Sequence, residues 1–154
     1  MPLTETRRKL AALQSFDVVS TVTAILNENA DLIVGLIRGQ LGSKGKTGLG
    51  EPTKARLGAF YQFATIRHKK LESGLGGVID FVTMYDSGAF YASLNLKVEG
   101  QVFNVESNVP YFEKINAWND GVLIDMDKDN LELLSQQIVV PQLKEIFNTQ
   151  VIGV

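Results

Sequence analysis

Apolar residues between Phe16 and Leu41 recur at three- and four-residue steps: Val19, Val22, Leu26, Ala30, Ile33, Ile37 and Leu41. That period places them on one face of a helix, and a face this apolar must be covered by the rest of the chain. The polar run Asn27-Glu28-Asn29 interrupts the stripe. It predicts two helices, with Asn29 as the N-cap of the second. Gly35 and Gly39 weaken the second by up to about 1 kcal/mol each relative to Ala. Thr4 to Leu13 reads as a short opening helix capped by Thr4, so residues 4–41 are expected to be helical.

Downstream the period changes. Leu94, Leu96 and Val98 alternate with Asn95, Lys97 and Glu99, the two-residue repeat of a half-buried strand. Gly100 supplies a turn, and Gln101 to Ser107 returns with Val102, Phe103 and Val105, which predicts a hairpin. A strand over Val78–Met84, a tight Asp86-Ser87-Gly88 turn and a strand from Ala89 to Glu99, opening with Phe90-Tyr91, extend the sheet region over 78–107. A Gly/Lys loop spans 42–52, Thr53 reads as the cap of a short helix through Phe63, and a loop with three glycines covers 72–77. Asn108–Trp118 reads as a short helix or turn with Pro110 in its first turn. The last element, over 129–149, begins at Asp129, which with Glu132 makes a capping-box-like pair. Its stripes, Leu131, Leu134, Ile138 and then Leu143, Ile146, Phe147, are separated by Pro141, which is expected to kink or divide the helix. The sum is one α+β domain over 1–154: helices at both ends of a small, mostly antiparallel sheet.

At 154 residues the chain can bury a core without staples. It has no cysteine, which removes thiolate catalysis, thiolate metal sites and disulfides together. Met1 to Lys9 carries charge with no apolar run behind it, so no signal peptide is expected, and no stretch approaches a membrane span. Net charge is −2 but unevenly placed. Arg38 to Lys70 holds Arg38, Lys44, Lys46, Lys54, Arg56, Arg67, Lys69 and Lys70 against Glu51 alone; the remaining residues carry 7 basic and 16 acidic groups. Regions of opposite sign suit head-to-tail packing between copies, while the plainer reading is a solvated basic loop.

No constellation assembles an active site. Gly45-Lys46-Thr47 resembles the end of a phosphate-binding loop, but that loop needs a glycine where Gln40 stands and a strand before it. Val122-Leu123-Ile124-Asp125 mimics the strand that would help to hold magnesium. Asp125 to Asn130 imitates the start of a calcium loop, yet Asn130 replaces the turn glycine and Gln136 the bidentate glutamate. The single histidine, His68, rules out a multi-histidine metal site and lies among Arg67, Lys69 and Lys70. Asp80 and Asp86 flank the Val82–Tyr85 strand and could converge as paired carboxylates, but Asp86 reads as turn chemistry before catalysis. Tyr61 and Phe63 beside Arg67, Lys69 and Lys70 keep a salt-sensitive nucleic-acid-binding module open as an alternative.

Gln40-Leu41, Lys44-Gly45, Gly48, Tyr61, Lys69, Asp80-Phe81, then Ser87-Gly88-Ala89-Phe90-Tyr91 and Ser93 occur in an order that resembles small neck and tail-completion proteins of tailed bacteriophages, especially those of gut Bacteroidetes. The resemblance covers roughly Gln40 to Ser107, with Ser87 and Ala89 departing from the pattern. It implies a virion component made in the bacterial cytoplasm. Such a component is a subunit of a homo-oligomeric head–tail connector ring that links a portal or adaptor protein to the tail around the DNA channel, or else a tail terminator. It implies no catalysis, no cofactor, no metal, no membrane and no sequence-specific nucleic acid. On this reading the contact residues are Lys44, Lys46, Lys54 and Arg56 in the loop region and Phe90 and Tyr91 on the hairpin, although for the two aromatics core packing is the first expectation and contact the second.

Overall fold

The computed structural model describes residues 3–54, Val82, Met84 and 88–153. Helix α1 spans Leu3–Ser15, α2 Val18–Glu28 and α3 Ala30–Lys44. A bend of 65° separates α1 from α2. Thr4 lies inside α1 and does not cap it. Asp17 caps α2: its carboxylate accepts from the Ser20 amide (3.1 Å) and the Ser20 hydroxyl (2.6 Å). The break between α2 and α3 falls at Asn29, as the polar run predicts. Its side chain does not cap α3, however; it donates to the Ile25 carbonyl (2.8 Å) and to Gln142 Oε1 (3.3 Å).

The apolar stripe has two fates. Leu26, Ile33, Ile37 and Leu41 are buried, but Val19 at its start is 42% exposed. Coverage therefore ends within α2: Val22 still packs against the core at its edge, and the first turn of the stripe stands free of it.

Among the described residues the sheet is a two-stranded antiparallel hairpin, β1 Leu94–Glu99 and β2 Val102–Ser107, in register from Leu94 opposite Ser107 to Glu99 opposite Val102. Gly100, in the left-handed region (φ 59°), and Gln101 form its two-residue turn. Leu94, Leu96, Val98, Phe103 and Val105 lie against the helical core, while Asn95, Lys97, Glu99, Asn104 and Glu106 are exposed. The architecture is α+β, with helices flanking a small antiparallel hairpin.

The expectation of one strand from Ala89 to Glu99 is corrected. Ala89–Ala92 is a single helical turn, α4, and the strand begins only at Leu94. Gly88, left-handed at φ 83°, turns the chain into it, and the Ser93 hydroxyl donates back to the Phe90 carbonyl (2.7 Å) to close it. The reason is burial. Adjacent strand residues point to opposite faces, whereas a helical turn lets the neighbours Phe90 and Tyr91 both enter one core.

Helix α5, Phe112–Trp118, starts after Pro110. Helix α6, Lys128–Leu134, is capped by Asp127, whose carboxylate accepts from the Asn130 amide (2.9 Å). The expected cap Asp129 sits in the first turn instead, because Asp127 has the extended backbone of a cap and Lys128 is already helical. Pro141 does not divide the last element. A π-helical turn over Ser135–Val139 joins α6 to α7, Val140–Phe147, and a second over Asn148–Ile152 ends it. Proline lacks a donor and its ring crowds the preceding turn, and a wider turn just before it absorbs both without ending the helix.

The core is built from Leu26, Ile33, Val34, Ile37 and Leu41 of α2 and α3, from Phe90, Tyr91, Leu94, Ile115 and Leu134, and from Leu123, Ile124 and Met126 of the α5–α6 connection. That connection is a buried turn and not the strand that a magnesium site would need. The expected strand over Val78–Met84 and the Asp86-Ser87 turn, apart from Val82 and Met84, lie outside the described residues. So do the helix from Thr53 to Phe63 beyond Lys54, the 72–77 loop, Tyr61, His68 and Asp80.

Candidate functional site

The Gly/Lys loop is stitched to the body. Gly45, left-handed at φ 59°, caps α3, and the chain returns through a bridge between Lys46 and Pro52. The Thr47 amide donates to Glu51 O (2.8 Å), Thr53 N to Gly45 O (2.8 Å), and Gly48 N to Val122 O (2.9 Å). Gly48 sits so close to the α5–α6 connection that a Cβ there would lie 2.3 Å from Asp125 Cβ and 2.8 Å from its backbone carbonyl. Only glycine fits. A helix precedes Gly45-Lys46-Thr47 and Thr47 is buried, which is the reverse of a phosphate cradle at a helix start.

Two buried amides hold this corner. Gln40, 1% exposed, donates from Nε2 to Asp125 O (2.9 Å) and accepts at Oε1 from the Asp127 amide (2.9 Å) and Asn130 Nδ2 (3.2 Å). Asn119 accepts at Oδ1 from the Lys54 amide (2.7 Å) and donates from Nδ2 to Lys54 O (3.1 Å) and Ile115 O (2.8 Å). Lys54 Nζ meets Asp120 at 2.7 Å, and that bond, with the charge of Asp120, raises the pKa of the lysine. The basic stretch and the acidic stretch of the sequence thus meet within one molecule at this point. This leaves less of the charge split available for contacts between copies. Lys44 and Lys46 are exposed; Arg56 lies outside the described residues.

Phe90 and Tyr91 take the core-packing role expected first for them. They are buried at 3% and 9% exposure, Phe90 stacks against Phe112 (centroids 6.2 Å apart), and Arg38 Nε donates to the Tyr91 carbonyl (3.0 Å). Of the described residues in the motif order, Gln40, Leu41, Gly48, Phe90, Tyr91 and Ser93 therefore act as packing and hydrogen-bonding elements of the fold, while Lys44 is exposed. Among the described residues, no group of three His, Asp or Glu side chains is placed to hold a metal ion. The calcium-like run is a helix start, with Asp127 spent on the cap.

The exposed surface of interest is elsewhere. No residue of α1 is buried. Leu3, Leu10 and Leu13 are 79%, 54% and 50% exposed, and at about 100° per residue they lie on one side of the helix. The other side, Arg8 and Ala12, faces Thr149 to Gly153 at the chain's end. This is the inverse of the usual arrangement, in which a helix turns its leucines inward. The leucine face continues into Val18 and Val19 and borders a groove of about 330 Å³ lined by Leu13, Phe16, Val18, Leu143 and Phe147. Phe16 meets Phe147 edge to face at 5.2 Å, fixing the elbow between α1 and α2 on α7. Contiguous exposed apolar surface of this kind marks an interaction site, whereas scattered leucines do not. Sequence reasoning places α1 correctly but passes over this face. The signal is present in the spacing of Leu3, Leu10 and Leu13 at seven and three residues, with Arg7, Arg8 and Lys9 between them.

No family model, curated protein or solved structure matches this chain. Among the described residues no single helix is long and apolar enough to cross a membrane.

Proposed function

We propose that this chain is a structural subunit that acts by docking to copies of itself, and that the assembly is a neck or head–tail connector ring of a tailed bacteriophage. The observation that carries the first half is the apolar elbow of α1 and α2: three leucines and two valines exposed together. Burying a side chain of this size gains about 1.5–3 kcal/mol, so leaving five in water is costly unless a partner covers them. The second half rests on the motif resemblance between Gln40 and Ser107. Several of the motif residues, Gln40, Gly48 and Tyr91 among them, join the α3 end, the loop and the hairpin entry by packing and hydrogen bonds.

The test is electron microscopy of the purified chain together with mass spectrometry of particles released by the host that encodes it. The expected result is annular particles with a central opening and the chain present in mature virions. A monomer in solution, or absence from the particles, overturns the proposal.

A further inference from the structure

We infer that the outer edge of β2 pairs with the β2 edge of a second copy, antiparallel and about a two-fold axis through Asn104, so that two hairpins join into one sheet. This rests on the reading above that copies dock to one another, and it names a contact that α1 does not make.

The hairpin register decides which backbone groups are on offer. Glu99 opposite Val102 closes the two-residue turn, and such a closing pair exchanges both of its N–H···O bonds. Bonded pairs then alternate along the ladder, so Lys97 with Asn104 and Asn95 with Glu106 are bonded too. Phe103 and Val105 therefore aim their amides and carbonyls away from β1. Among the described residues nothing meets those groups. The space beside them is open: a groove of about 290 Å³ has Phe103, Asn104 and Val105 on one side and Ile124 to Met126, with Leu131, on the other. Its mixed lining is that of a strand edge, backbone polar groups between apolar side chains. An open edge is a template for another strand, and a hairpin of two strands gains by acquiring one.

Charge and pattern make a second β2 the occupant. With the axis through Asn104, Phe103 lies opposite Val105 of the other copy at both ends, and each such pair exchanges two backbone bonds. On the core side this sets an aromatic ring against a β-branched side chain, a favourable cross-strand pair. On the outer side Asn104 meets Asn104, and the stem of Glu106 meets Val102, which is 58% exposed in the single chain. No like charges stand opposite one another. Other registers are worse. An axis through Val105 brings the two Glu106 carboxylates diagonally together, and an axis through Phe103 runs each strand into the Gly100-Gln101 turn.

Backbone bonds at two pairs do not outweigh the cost of joining two chains. The edges therefore pair only between copies that the α1 face already holds near one another. The monomeric Leu10→Arg chain keeps an open edge and serves as the reference state.

The test is amide hydrogen exchange, read residue by residue, on the full-length wild type as it assembles and on Leu10→Arg. The Phe103 and Val105 amides are expected to slow about tenfold or more in the wild type. The Asn104 and Glu106 amides, bonded to β1 in both states, are expected to change less, and the outward amides of Leu96 and Val98 on β1 to stay fast. A second arm uses Asn104→Lys and Asn104→Asp, at an exposed position, with circular dichroism to confirm the fold. Each alone sets like charges across the axis and is expected to return Phe103 and Val105 to the Leu10→Arg rates. Mixed one to one, the two variants are expected to regain the protection. Equal rates in wild type and Leu10→Arg, protection at Leu96 and Val98 instead, or a mixture that stays unprotected overturns the inference and leaves the assembly reading intact. A monomeric wild type overturns both.

Discussion

Two regions of this molecule are built the wrong way round, each in an opposite sense. The corner where the Gly/Lys loop meets the α5–α6 connection is polar and buried: Gln40 and Asn119 are each 1% exposed. The elbow of α1 and α2 is apolar and exposed, with Leu3 at 79% and Leu10 at 54%. The first inversion is resolved inside the chain, since both amides hydrogen-bond to backbone atoms that no helix or strand supplies with partners. The second has no resolution among the described residues. The lesson is that a buried polar group with all its partners defines a fold, and an exposed apolar face without any defines an interface.

Substitutions sharpen that contrast, because the same change in size or charge should have opposite consequences in the two places. Gln40→Leu keeps the side-chain volume but strips partners from the Asp125 carbonyl, the Asp127 amide and Asn130. Buried groups left unpaired cost about 1–3 kcal/mol each, so a loss of about 3 kcal/mol is expected in a urea titration. A loss below 1 kcal/mol would mean that water replaces the amide, and that the corner is less closed than described. Gly48→Ala drives a methyl into the Asp125 backbone and is expected to cost about 2 kcal/mol, in the range of overpacked cores. Asp127→Ala removes the α6 cap for about 1 kcal/mol. At the elbow, Leu10→Arg is expected to change monomer stability by less than about 0.5 kcal/mol, as exposed sites do, while abolishing assembly.

Acid supplies the smallest effect. The Ser20 hydroxyl and amide bonds hold the Asp17 carboxyl below its usual 3.8. A depressed folded-state pKa adds stability that is present above the unfolded value and lost as pH falls through the folded one. Asp17→Asn should therefore lower stability slightly at neutral pH, with the gap to wild type closing as the pH falls below 3.8 and through the folded-state value. Lys97 behaves oppositely. Its bond to Glu99, and the charges of Glu106 and Glu99, raise its pKa, so its small contribution is present below 10.5 and fades as pH rises through the folded value.

The sequence makes some of this legible and not the rest, for physical reasons. The helical period of Leu26 to Leu41 and the alternation of Leu94 to Val98 survive because burial selects for them directly. The break at Asn29 shows because a polar run has no place on an apolar stripe. Phe90-Tyr91 misleads as a strand opening, since two adjacent aromatics satisfy a buried strand and a buried helical turn equally well. Asp129 misleads as a cap because Asp127, two residues earlier, has the same chemistry, and only the backbone at Asp127 decides between them. The amide pins are invisible for another reason: Gln40 bonds to residues 85–90 positions away. The elbow is missed because a short helix with leucines at Leu3, Leu10 and Leu13 looks like any core helix until those leucines are seen to be exposed among the described residues.

The central claim is that the exposed face of α1 is an interface between copies. Its most direct test is the mass of the intact wild-type chain across a concentration series, measured by native mass spectrometry beside Leu10→Arg. The account predicts one discrete oligomer for the wild type, persisting on dilution, and a monomer for the variant at every concentration. A wild type that remains monomeric throughout, or a variant that assembles alongside it, would contradict the claim.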